Sequence, residues 1–189
     1  MRSFLLIALL FIMLCPAPTR ANDNFMQMDG MTFTGGMYGH NTDRRGWRIA
    51  PRWDWGVEWL KQSPIRVTGY WEAGLGNWQA FEHHVGGNDS LWIVSGSEIF
   101  QFWLGPVNKT RNALFLEFGI GPGYLTSDEL GSRDFGGHWQ FEDKFGAGVN
   151  FGTTRPLQLI YRYYHYSNAG FQPPNNGLDL HTLAFVCFF

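Results

Sequence analysis

The 189-residue chain is poor in cysteine, poor in charge and, beyond residue 21, without a long apolar run. Of its two cysteines, Cys15 lies in an N-terminal leader, and Cys187 is then a lone thiol. That excludes an internal disulfide framework. Charged residues make up only 16% of the chain, against about 25% in an ordinary soluble domain. The formal net charge is −2, so the basic surface that nucleic acid demands is missing. No stretch after the leader approaches the roughly 20 apolar residues of a membrane-spanning helix.

What is present is aromatic and exported in character. Arg2, the apolar run from Phe4 to Leu14 and the small residues near Thr19-Arg20-Ala21 read as a secretory signal over residues 1–21. Residues 22–189 then form the expected single domain. Aromatics reach 17%, with nine tryptophans and 24 glycines. An exported, aromatic-rich chain with no helical span matches the composition of a transmembrane β-barrel.

Period-2 alternation carries that reading along the chain. Val67, Gly69, Trp71, Ala73 and Leu75 alternate with Arg66, Thr68, Tyr70, Glu72 and Gly74. Phe141, Asp143, Phe145, Ala147 and Val149 alternate with Glu142, Lys144, Gly146 and Gly148, and Leu157, Leu159, Tyr161 and Tyr163 with Gln158, Ile160 and Arg162. In a membrane barrel the apolar set meets lipid while charges and glycines fill the interior. Arg66, Glu72, Glu142, Lys144 and Arg162 are therefore expected inside, and Asp143, which interrupts the outward set, at the rim. Turn signals divide the chain into eight strands, near 31–39, 46–60, 65–80, 91–105, 111–125, 137–151, 156–167 and 178–189. Short turns are expected at 61–64, 106–110 and 152–155, and outer loops at 41–45, 82–90, 126–136 and 168–177. The fold class is an all-β, eight-stranded antiparallel barrel of the outer membrane, ending on the aromatic pair Phe188-Phe189.

One stretch carries chemistry. His165 and Ser167 are two apart on a strand and point the same way. They continue the outward face of Tyr161 and Tyr163. Asp179 begins the next strand at the same rim, so it is expected beside His165 across the hairpin. A nucleophile (Ser167), a base (His165) and an orienting acid (Asp179) make an acyl-transfer set, here facing lipid. Asn168 and the backbone N–H groups of Ala169-Gly170 are the nearest oxyanion donors, and Asn175 with Gly177 shapes the returning turn. Glu82-His83-His84 lacks the spacing of a metal site, and Gly119-x-Gly121-x-Gly123 has no following helix to cradle phosphate. No metal or cofactor is expected. Trp47, Trp53, Trp55 and Trp59 read as girdle anchors or interior packing, and His181 lies near the set.

These residues resemble a known family. Trp53-Asp54-Trp55, Val67-Thr68-Gly69-Tyr70-Trp71-Glu72-Ala73-Gly74, Phe141-Glu142-Asp143-Lys144-Phe145-Gly146-Ala147-Gly148 and His165-Tyr166-Ser167-Asn168-Ala169-Gly170 with Pro174-Asn175-Asn176-Gly177 are similar, in order, to the PagL outer-membrane lipid A 3-O-deacylases. The likeness runs over about 31–189. It implies hydrolysis of the ester-linked acyl chain at position 3 of lipid A, with His165 as base, Ser167 as nucleophile and Asn168 supporting the oxyanion; Gly170 and Asn175 of the same turn join the expected oxyanion and substrate set on their position alone. The family's third member is usually glutamate; this chain has Asp179. The expected partner is the lipopolysaccharide substrate within the membrane, a homodimer being the other assembly to consider. The competing readings are a non-catalytic barrel with a structural or adhesive role and a different outer-membrane lipid-modifying enzyme.

Overall fold

Alternating side chains and glycine-marked turns fold the chain into antiparallel ribbons that close on themselves. A computed structural model describes residues 28–37, 44–80, 88–104, 113–151 and 157–188. The strands are β1 (Gly30–Met37), β2 (Arg44–Trp59), β3 (Ile65–Ala80), β4 (Ser90–Leu104), β5 (Ala113–Leu125), β6 (Glu129–Leu130), β7 (Arg133–Asp134), β8 (Trp139–Phe151), β9 (Leu157–Ser167) and β10 (Leu178–Phe188). Eight form a closed barrel in the order β1-β10-β9-β8-β5-β4-β3-β2, and β6 with β7 makes a separate hairpin. First and last strands pair from Gly30↔Phe188 to Gly36↔Thr182, so the barrel sheet closes on itself and its own edge strands are paired.

Among the described residues the ends of the eight barrel strands fall within two residues of those expected. Two features differ from the sequence reading. The expected loop at 126–136 contains the β6–β7 hairpin, whose Leu130 and the following Phe135 are fully buried. They pack with Trp78, Leu91, Ile93, Leu125, Tyr164, Tyr166, Leu178 and Leu180 in an apolar plug at the outer end. The second is a register shift in β2 between Asp54 and Glu58, where Gly56 takes φ 67°. It lays Trp55 over Gly69 among Trp59, Trp71 and Phe100. The turn at 61–64 is present, with Ser63 N donating to Leu60 O at 2.8 Å. The leader, the turns at 106–110 and 152–155, Glu82-His83-His84 and Phe189 lie outside the described residues.

The interior is polar. Lys144 Nζ donates to Glu72 Oε1 at 2.8 Å and lies 2.8 Å from Glu142 Oε1. Arg162 Nε donates to Glu117 Oε1 at 2.6 Å, and Arg48 bridges Glu72 and Glu142. Three cations thus meet three carboxylates, and Ser95, Ser97 and Tyr166 hydroxyls donate to Glu142 as well. Glycines make room: a Cβ on Gly74 would collide with the Arg48 guanidinium, and one on Gly146 would crowd the Glu117 carboxylate. Arg66 sits at the opposite end from the plug, bonded to Glu58 at 3.0 Å.

Candidate active site

β9 alternates between the two sides of the wall. Arg162, Tyr164 and Tyr166 are buried inside, while Tyr163, His165 and Ser167 are partly exposed outside. Its neighbours place an acid on either side of the imidazole, since His165 is opposite Asp179 of β10 and Asp143 of β8. Residues directly opposed on one face have Cβ atoms about 4.5–5.5 Å apart.

His165 Nδ1 and Asp179 Oδ1 are 2.6 Å apart, with the two side chains 36% and 39% exposed. Against an ionised carboxylate, Nδ1 carries the proton and donates, which leaves Nε2 as the basic nitrogen. Tyr163 O–H donates to the same Asp179 oxygen, also at 2.6 Å. Ser167 ends β9 two residues beyond His165 on the same face, about 7 Å away between Cα atoms. The structure joins His165 to Asp179; among the described residues no hydrogen bond links Ser167 to the imidazole. Serine–histidine contacts of this kind often tighten only when substrate is bound.

After Ser167 the chain turns through left-handed Ala169 (φ 55°) and Gly170 (φ 77°). Asn168, 4% exposed, holds this turn together. Its Nδ2 donates to Phe135 O at 2.9 Å and Gln172 O at 2.6 Å, and its Oδ1 accepts from Gly170 N at 2.9 Å. Both N–H bonds of the Asn168 amide, expected to face an oxyanion, are therefore engaged by backbone carbonyls, and so is the Gly170 N–H by Asn168. Asn175 Oδ1 accepts from Asn168 N at 3.1 Å, which leaves the Asn175 NH2 group and the Ala169 N–H among the unengaged donors of this turn. The Asn168 side chain and the Gly170 N–H are thus engaged within the turn, as a buried amide requires, while Ala169 N–H and Asn175 remain of the donors the sequence offered.

The β6–β7 hairpin locks the other end of the loop. Arg133 Nη1 donates to Asn176 O at 2.9 Å and Gly177 O at 3.0 Å, and Asn176 N donates to Asp134 O at 3.3 Å. Gly177 has φ 59°, and a Cβ there would lie 3.4 Å from His165 Cε1. The loop is thus clamped within two residues of Asp179. Below it on the outer wall, Tyr161 O–H and His181 Nδ1 are 2.6 Å apart.

Sequence reasoning missed Tyr163, Arg133 and Phe135. Tyr163 was placed among lipid-facing residues, and only the register shows its phenol reaching an acid on the diagonal. Arg133 and Phe135 belong to a loop whose fold has no periodic signal. Asp143 did carry a signal, an acid on an apolar face, but its place opposite His165 needed the β8–β9 register. Among the described residues no cluster of His, Cys, Asp and Glu could hold a metal ion.

Three comparisons bear on this geometry. A family model described as lipid A 3-O-deacylase (PagL) matches residues 44–187. The lipid A deacylase PagL of Pseudomonas aeruginosa is 32% identical over 138 residues, covering 72% of this chain and 74% of that protein. Its counterpart in Bordetella bronchiseptica is 31% identical over 118 residues, covering 62% of this chain and 61% of that protein. The crystal structure of the outer membrane enzyme PagL matches with a TM-score of 0.70 at 28% identity, over 83% of this chain and 97% of that one.

Proposed function

Because the chain belongs to the lipid A 3-O-deacylase (PagL) family, we propose that this outer-membrane hydrolase of lipid A works by a serine mechanism in which Ser167, His165 and Asp179 act together. The observation that carries the reading is the 2.6 Å bond between His165 Nδ1 and Asp179 on the lipid-facing wall, where a polar pair is costly unless it has a function.

Nε2 of His165 takes the proton from Ser167 Oγ as that oxygen attacks the ester carbonyl. The carbonyl oxygen becomes an oxyanion, met by the unengaged donors of the 168–177 turn. Collapse breaks the bond to the sugar, whose 3-oxygen takes the proton from His165, and the acyl group stays on Ser167. A water molecule, deprotonated by His165, then attacks the acyl-serine and releases a 3-hydroxy fatty acid. Asp179 holds the imidazole in the tautomer this requires. Asp143, across the other strand, adds a second negative neighbour that favours the imidazolium formed in each transition state.

All three groups come from one hairpin, so the mechanism needs no second copy of the chain; chemical cross-linking in whole membranes tests the homodimer separately. The mechanism also needs no cofactor. Lipid A from cells expressing the protein is to be compared by mass spectrometry with that from cells expressing Ser167→Ala or His165→Ala. Loss of one hydroxyacyl mass, abolished by either substitution, is the expected result. An unchanged lipid A with the parent protein supports a purely structural barrel, a gain of an acyl mass supports acyl transfer between lipids, and full deacylation by Ser167→Ala refutes the serine mechanism.

A further inference from the structure

We propose that Tyr163 is a positioning residue for the orienting acid, holding the Asp179 carboxylate in the direction of the imidazole; this rests on the Ser167–His165–Asp179 reading above. Two donors converge on one oxygen. Asp179 Oδ1 accepts from His165 Nδ1 at 2.6 Å and from Tyr163 O–H at 2.6 Å.

The reason such a donor is needed lies in the acid itself. Asp179 is a short side chain on the outer wall, 39% exposed at the rim. Water there competes for both carboxylate oxygens, and a rotation about the carboxylate would turn Oδ1 away from Nδ1. A second short, charge-assisted bond to the same oxygen opposes that rotation.

Tyr163 is built to be a stiff donor. It is opposite Phe145 of β8 and His181 of β10, and its ring lies between theirs, at 6.3 Å and 5.1 Å between centroids. Asp179 is two residues from His181 along β10, so it occupies the diagonal position that a long aromatic side chain reaches. A tyrosine has only two side-chain torsions to fix, and the flanking rings restrict both. Its hydroxyl has this carboxylate as a reason to face along the wall at the edge of a hydrocarbon layer, where an unpartnered hydroxyl is costly.

Tyr163 touches the acid and not the reacting atoms, so its loss should lower turnover without weakening substrate binding. The test uses the full-length protein in detergent micelles with lipid A, measuring kcat and KM for the parent, Tyr163→Phe, Asp179→Ala and the double variant, each checked for heat-modifiable gel mobility as a sign of the folded barrel. Tyr163→Phe is expected to lower kcat about tenfold, the loss of one hydrogen bond to a charged group, with KM within about twofold. In the Asp179→Ala background the same change should have no further effect, because the group it positions is gone. A parent-like kcat in Tyr163→Phe overturns the proposal. So does an equal fractional loss in both backgrounds, which would mean that the tyrosine acts through lipid contact or packing. Ser167→Ala, run alongside, keeps the two readings apart: residual full activity there would refute the serine mechanism, whereas its inactivity with an unaffected Tyr163→Phe would refute the role of Tyr163 alone.

Discussion

Lys144→Met puts the internal charge network to a quantitative test. Lys144 is fully buried and lies 2.8 Å from both Glu72 Oε1 and Glu142 Oε1. Methionine keeps the length of the side chain but removes its charge, leaving three buried carboxylates facing two buried arginines. Breaking a buried ionic set by deleting one partner costs about 3–5 kcal/mol, a large share of the roughly 5–15 kcal/mol by which folded proteins are usually stable. With a slope of about 4 kcal/mol per molar in guanidinium chloride, the unfolding midpoint should fall by on the order of 1 M. Tryptophan fluorescence of the detergent-folded barrel follows this directly. Lys144→Met with Glu142→Gln restores the balance and should recover a good part of the loss, since the partner charge left unpaired is what is costly. A single variant that unfolds with the parent, or a double variant no better than the single, would refute the electrostatic account. Because the proposed catalytic groups are on the other side of the wall, deacylation by the folded fraction should stay within about twofold.

Three further outcomes follow from the site. Asp179→Ala should lower kcat by roughly 10²- to 10⁴-fold, while Asp179→Glu, offering the same charge on a longer arm, retains most activity in a micellar deacylation assay; parent-like rates in both would remove Asp179 from the mechanism. Arg133→Ala deletes two bonds to the Asn176 and Gly177 carbonyls and should loosen the 168–177 loop by about 1–3 kcal/mol, seen as faster protease nicking of intact cells at that loop. Gly177→Ala places a methyl 3.4 Å from the imidazole at a φ of 59° and should reduce kcat several-fold at nearly constant KM; an unchanged kcat would show that the imidazole can shift freely.

The barrel was legible because its physics is periodic. Alternation put Glu72, Glu142, Lys144 and Arg162 inside, and they are buried there. The same parity, carried past Tyr163, put His165 and Ser167 outside, and a hairpin of known direction set Asp179 against His165. What alternation cannot encode is the interaction of segments that are not strands. The β6–β7 hairpin is two residues on each side, too short for a pattern, yet it and the residue after it supply Arg133 and Phe135 to the loop that carries Asn168. The Asn168 amide looked available because its partners, the carbonyls of Phe135 and Gln172, are backbone atoms with no sequence signature. The bulge near Gly56 was hidden for a similar reason: one left-handed residue changes which way Trp55 points without altering composition. Tyr163 was visible as a residue but not as a donor, since a diagonal contact depends on register.

His165 and Asp179 open sideways from the barrel, and under the proposed mechanism this sets the dimensionality of catalysis. Encounters take place by diffusion within a sheet of lipid, so the variable that governs rate is the mole fraction of substrate in that sheet, not its concentration in the surrounding buffer. Adding inert amphiphile at fixed substrate should slow the reaction by dilution in two dimensions. The liberated fatty acid is set down among the same tails it came from, and clearing it is a task for the leaflet.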